Sequence, residues 1–309
     1  MATDLTISDH SITQFTGNVE MLLQQTSPRL LPAVTTGSYR GEKAQAVVQF
    51  GEVEMSSVSP GMAVGQWRGD TVWDDIEHFN RWVFPLDYKV ALPVARPEEI
   101  RRMGDPKSPY VEACRAAYAR TVDDTIIAAA TSDAKTGRYD DLVNTPLPVN
   151  QIIDHDFVRD GLATSSGLTI DKLIAAREKL VAAGNDPGEV RYFACSEKQL
   201  SDLLASTQVQ SIDYNTVKAL VRGELDTFLG FKFISTERLL KTDAAGPLSQ
   251  IRHCLAWVQS GLHFGTWNGL EVFMDRRPDK NYVWQVYMRA TIGATRTQEK
   301  KVVQVDCAE

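Results

Sequence analysis

Asp154-His155-Asp156 is the one short stretch of this 309-residue chain whose side chains could hold a metal ion, two carboxylates flanking an imidazole. On an extended chain neighbouring side chains point to opposite faces, so only Asp154 and Asp156 could share an ion, and no third or fourth ligand is in sight. A solvated polar loop is expected there. His253 and His263 bracket a strand and turn, and the sequence identifies no carboxylate partner for either. Asp123-Asp124 spells a carboxylate pair, yet side chains at i and i+1 diverge by about 100° around a helix and do not face one substrate. A solvated face is expected. Arg68-Gly69-Asp70 matches an adhesion tripeptide, but three common residue types arise easily by chance, and a turn is the default.

The longer signatures are missing. The chain has no GxxxxGK[ST] phosphate cradle, no HExxH and no GxSxG elbow. Gly261, Gly265 and Gly269 are spaced by four and make no dinucleotide fingerprint. Catalytic, cofactor-binding and metal residues are therefore expected to be absent. A net charge of −7 argues against a phosphate-neutralising DNA binder, which needs a clustered basic face. Cys114, Cys195, Cys254 and Cys307 form no CxxC and sit in apolar patterns, which suits buried thiols in a reducing compartment. The polar, acidic start MATDLTISDH lacks the basic and apolar regions of a secretion signal. The longest apolar stretch, around Ile126–Ala130, is far short of the ~20 residues of a membrane helix. A soluble intracellular product is expected.

The elements follow from periodicity. Ile12, Phe15, Val19 and Leu22 fall at helical spacing before Ser27-Pro28 stops the pattern. Ala46, Val48 and Phe50 share one face of a strand over 44–50, opposite Gln45 and Gln49. Trp82, Phe84, Leu86, Tyr88, Val90 and Leu92 share one face of a second run, where Pro85 points to an edge. About thirty residues rich in Gly, Ser, Met and Trp connect the two runs, longer than compact domains hold without a functional reason. Ser108-Pro109 opens the strongest helix, striped by Val111, Cys114, Tyr118, Val122 and Ile126. Residues 131–166 are polar, with at most short strands. Thr169 caps a helix carrying Leu173, Ile174, Leu180 and Val181 that ends at Gly184, and 190–194 reads as a strand. Ser196 with Gln199 makes a capping box for the next helix. A strand at 254–258 and alternating runs at 282–292 and 303–307 complete a helix-and-sheet pattern.

The most specific stretch is 211–240, SIDYNTVKALVRGELDTFLGFKFISTERLL. Physically it reads as a helix capped by Asp213, with Val217, Leu220 and Val221 on its apolar face. Gly223 breaks that face, Gly230 marks a turn, and a strand begins at Phe231. As a string it resembles the axial-domain core of tailed-phage major capsid proteins with the Hong Kong 97-type fold. The resemblance extends from the start of the chain to Cys307 and implies an α+β chain in five parts. Residues 1–43 are an N-terminal arm and 44–94 an extended β-hairpin loop. Residues 95–167 form a peripheral domain with a spine helix at 108–131, 168–265 an axial domain, and 266–309 strands returning to the peripheral domain.

It further implies a structural protein that self-assembles into pentamers and hexamers of an icosahedral shell around double-stranded DNA, built in the host bacterial cytoplasm. Implied partners are other copies of itself, a separate scaffolding protein (the arm begins too early for a fused one), a portal protein and a decoration protein. DNA is touched non-specifically, and no membrane is involved. Arg96, Arg101 and Arg102 are candidates to face DNA or an acidic neighbour. Two rivals are a nanocompartment shell of the same fold and a cytosolic α/β enzyme assembled from Asp154, His155 and His253. Interface residues are expected at Met62, Trp67, Trp73 and Trp82 on the loop, because Trp and Met are enriched at interface cores, and at Phe15, Val19 and Leu22 on the arm. Replacing Trp67 and Trp73 together by Ala is expected to leave folded subunits that do not assemble. Normal shell yield from that double variant, counted by electron microscopy, would refute their role.

Overall fold

The structure is a computed structural model that describes residues 25–51, 53, 55, 76, 78–94, 107–138, 141–159, 165–186, 188–205, 227–242 and 250–309. Several expectations lie outside these residues: the arm helix with Phe15, Val19 and Leu22, the loop residues Met62, Trp67 and Trp73, the tripeptide at 68–70, Arg96, Arg101 and Arg102, and the helix after Asp213.

The chain opens with β1 (Thr35–Ser38) and β2 (Ala44–Phe50), then β3 (His78–Val83) and β4 (Leu86–Val94). β2 and β3 pair antiparallel. The expected single run over 82–92 is two strands. Pro85 has no N–H to continue the ladder, so the chain leaves one sheet at Val83 and enters another at Leu86. Gly293 lies under this crossing: a Cβ there would stand 2.2 Å from the carbonyl oxygen of Phe84, so only glycine fits.

Helix α1 (Lys107–Thr131) follows, about 37 Å long at the standard rise. Alanines and a continuous apolar stripe favour it, and Thr121, Thr125 and Thr131 each bond back to the carbonyl four residues earlier. Its end is closed by the fully buried guanidinium of Arg296, which donates to the carbonyls of Ala130 and Ser132 at 2.9 and 3.0 Å. Strands β5 (Ala134–Arg138) and β6 (Asp141–Thr145) complete a four-stranded sheet in the order β2-β3-β5-β6, and β7 (Ile152–Ile153) leads to the next layer.

Helix α2 (Ile170–Ala182), β8 (Arg191–Cys195) and α3 (Glu197–Ala205) come next. Thr169 caps α2, and Gly184 closes it with a positive φ. The amide of Ser196 is bonded by Gln199, as the capping box predicts. Strands β9 (Thr227–Phe228) and β10 (Phe231–Ser235) form a tight hairpin. Its two turn residues, Leu229 and Gly230, both have positive φ, which gives the FLGF string a backbone reason. Then come β11 (Lys241–Thr242), β12 (Ile251–Val258), β13 (Leu262–Arg277), β14 (Val283–Arg296) and β15 (Val302–Ala308). A second sheet has the order β1-β13-β14-β4, and the largest runs β7-β15-β12-β8-β10-β9 with β11 beside β12.

The C-terminal strands divide between layers. β14 packs against α1, whereas β15 pairs with β12 along seven residues and lies in the largest sheet. Val302, Val303, Val305 and Cys307 of β15 are buried on both faces of that sheet. The main core joins the C-terminal half of α1 (Val122, Ile126, Ile127, Ala130) to α2 and the large sheet. A smaller one joins its N-terminal half (Cys114, Val111) to Val286 and Met288.

One expectation on α2 changes. Val181 is half exposed, and Lys172 is fully buried in the stripe instead. Its Nζ donates to the carbonyls of His155, Ser166, Gly167 and Asp306 at 2.8–3.1 Å, which compensates the charge for lost water while burial pushes its pKa down. Lys172→Met is expected to lower subunit stability by about 2–4 kcal/mol, since the cage loses its donor. Denaturant unfolding of the unassembled subunit measures this.

Candidate assembly site

The far end of the β2–β3 ribbon exposes large apolar side chains on both of its faces, Phe50 paired with His78 on one and Phe79 paired with Gln49 on the other. Phe50 is 66% exposed, Phe79 49% and Met55 98%, with Val53 and Ile76 also open. Gln49 reaches the body, its amide donating to the carbonyl of Thr297 at 2.9 Å. Such a patch marks a surface that something covers. The β13–β14 hairpin presents a second one, with Phe273, Met274 and Tyr282 exposed near its tip and Arg276 stacked 4.5 Å over Trp284.

Trp82, the one expected interface residue among those described, faces its own chain. It is 8% exposed, and its indole N–H donates to the carbonyl of Gly137 at 2.9 Å, tying β3 to β5. Arg81 beside it meets Glu299 at 2.7 Å in a largely buried pair. These contacts root the ribbon. Phe50 and Phe79 were not singled out from sequence because alternation shows that a strand has two faces, not which one meets solvent.

On α1 lies a charged junction that the sequence missed. The expected solvated face at Asp123-Asp124 is corrected. Asp123 is fully buried and accepts the backbone N–H groups of Arg29 and Leu30 at 3.0–3.1 Å, together with the Gln25 amide. Asp124 accepts two bonds from the Arg238 guanidinium, whose pKa that pairing raises. Divergence of adjacent side chains is the physical reason: it sends one carboxylate toward residues 25–30 and the other toward the turn after β10. In that turn each residue of Thr236-Glu237-Arg238 is engaged. The Thr236 amide donates to the carbonyl of Cys195, and Glu237 accepts the Glu197 N–H at the start of α3 and a bond from Arg252. Glu309 clamps the far side. Burial works to raise its pKa, but bonds from Lys241 and Arg252 outweigh that and hold it low.

The histidines are also placed. His253 does have a carboxylate partner, Asp306 at 2.6 Å from Nδ1, with the Thr242 hydroxyl 2.7 Å from Nε2. The direct pairing of β12 with β15 sets Asp306 opposite His253, 53 residues apart in sequence, so no local spacing could show it. His155 contributes its backbone carbonyl to Lys172, while Asp154 is exposed. Among the described residues no cluster of three or more His, Cys, Asp or Glu could hold a metal, and no helix is long and apolar enough to cross a membrane. His263 is buried between Thr35 and Tyr39. The Thr35 hydroxyl donates to the carbonyl of Leu262, so it accepts from Nδ1–H at 2.9 Å, and the Tyr39 hydroxyl then donates to Nε2 at 2.6 Å.

A long helix shared by two cores, a projecting apolar ribbon and a second exposed hairpin define a structural protein built to be covered by neighbours. The fold is α+β of the Hong Kong 97 type. A family model described as phage capsid protein matches residues 7–309. The chain belongs to that family and is a structural major capsid protein. The capsid of cyanophage P-SCSP1u is similar with a TM-score of 0.70 at 17% identity, covering 96% of this chain and 93% of that one. The capsid of Ralstonia phage GP4 gives 0.71 at 10% identity, with coverage of 100% and 98%. The cyanophage Pam1 capsid gives 0.70 at 13%, with 100% and 99%. No curated protein matches the chain by sequence.

Burial pushes the His263 pKa below its ordinary value, so protonation favours the unfolded chain. Subunit stability is expected to fall as pH drops below about 6.5 toward the lowered folded value, then level off. His263→Gln is expected to flatten that dependence in thermal melts between pH 7.5 and 4.5, at some cost in stability at neutral pH.

Proposed function

We propose that the chain forms pentamers and hexamers, and that these close into an icosahedral shell around double-stranded DNA. The observation that carries this is the exposure of Phe50, Phe79 and Met55 on and beside the β2–β3 ribbon, apolar surface that a monomer would leave against water. In this reading the ribbon and the part of the arm that carries Phe15, Val19 and Leu22 lie over adjacent subunits, Met62, Trp67 and Trp73 extend the ribbon contact, and residues 30–38 of the arm pack on their own subunit. Trp82 supports the contact from below by anchoring the ribbon. The parts of the chain take the roles set out from sequence, with α1 as spine and the large sheet as the axial domain, meeting its copies around the capsomer axis. Many modest contacts then add through multivalency, and closed symmetry ends growth.

The net charge of −7 suits an inner wall that does not hold DNA tightly. A separate scaffolding protein, a portal and a decoration protein are the further partners, and assembly takes place in the host cytoplasm. Electron microscopy of the purified chain, alone and with a scaffolding protein, tests this. Closed shells, rings or capsomer sheets are expected, and a small monodisperse particle under both conditions would overturn the proposal.

A further inference from the structure

We infer that Asp124 and Arg238 are positioning residues for assembly: they close a ring of polar bonds around residues 25–30 and so fix the direction in which the preceding chain leaves the body. The ring can be followed bond by bond. Asp123 on α1 takes the backbone of Arg29 and Leu30. The Arg29 side chain donates to the carbonyl of Ser235 at 2.7 Å. Ser235 opens the turn that carries Arg238, and the Arg238 fork returns to Asp124, next to the starting residue on the helix.

The two halves of the ring differ in character. Asp123 is buried and binds main chain, so its loss would disturb folding. The Asp124–Arg238 pair is 45% and 34% exposed, where charge pairs add little to stability. Its bidentate geometry nonetheless fixes the turn against the helix along a plane, which a single point charge would not do. With the pair broken, the turn that carries Ser235 loses its tie to α1, and of the two holds on residues 25–30 only Asp123 is unaffected. The inference rests on the shell-forming reading, because the segment so directed contains Phe15, Val19 and Leu22.

The test uses the full chain with Arg238→Gln, Asp124→Asn and the swapped pair Asp124→Arg/Arg238→Asp. Three quantities are read: melting temperature, the rate of trypsin cleavage after Arg29, and shell yield by electron microscopy. Each single variant is expected to melt within about 3 °C of the parent. Each is expected to be cut after Arg29 about two- to fivefold faster, the opening that loss of an exposed pair allows. Shell yield should fall with it, and the swapped pair should restore both. Parental cleavage and yield in both single variants would overturn the inference. So would faster cleavage with normal shells, or a large loss of melting temperature that the swap does not repair. If the parent chain forms no shells under any condition, the shell-forming reading fails, while cleavage after Arg29 in isolated subunits still decides whether the ring directs the segment.

Discussion

Helix α1 has to be buried twice, and the rest of the chain is arranged to do it. Its C-terminal half shares a core with α2 and the large sheet, and its N-terminal half packs on β14 with Val286 and Met288. A helix of this length cannot hide its stripe in one small core, so two layers of different topology are held at one fixed spacing along a rigid rod. The far end depends on a single side chain. Arg296, on the strand that also covers the helix, reaches back to its last carbonyls and to that of Thr145, joining helix, β6 and β14 in one contact. Burial of that guanidinium is tolerated because its donors meet carbonyls that would otherwise lack partners.

The distribution of charge follows the same economy. Three buried groups bind main chain: Asp123 takes amides, and Lys172 and Arg296 take carbonyls, while the buried Arg81 and Arg252 bind carboxylates. Groups that reach surface bind each other, as in Arg289 with Glu271 and Arg277 with Asp279. The first kind specifies where segments cross, because removing one member strands several buried partners. The second kind adds little stability and leaves the exposed hairpin free to exchange partners.

Much of the fold was legible from periodicity. α1 was foreseen to within a residue, as were the Thr169 cap, the Ser196–Gln199 box and the alternation of β14. These are signals carried by neighbours along the chain. What escaped was what depends on distant partners. Two adjacent aspartates look solvated until residues 25–30 and 238 are folded against them, and a lysine in an apolar stripe looks like an error until four carbonyls converge on it. The end of the 82–92 run was visible as Pro85, but not the change of sheet it makes, since that depends on Gly293 being below it. On the ribbon, the aromatic content was legible and the exposure of Phe50 and Phe79 was not. Trp82 shows the converse: a residue of interface type turned inward to hold the ribbon's root.

The crossing at Phe84-Pro85 has a mechanical consequence. The β2–β3 ribbon and the β4–β14 ladder are consecutive on one chain, joined by two residues that make no strand pairing. A load applied at the ribbon therefore reaches β4 along its axis, where nine residue pairs resist in shear together instead of opening one after another. The ribbon is rooted by Trp82 and Arg81, and a pull on it does not unzip the sheet behind. Tension applied to the ribbon then passes along the strands into the body.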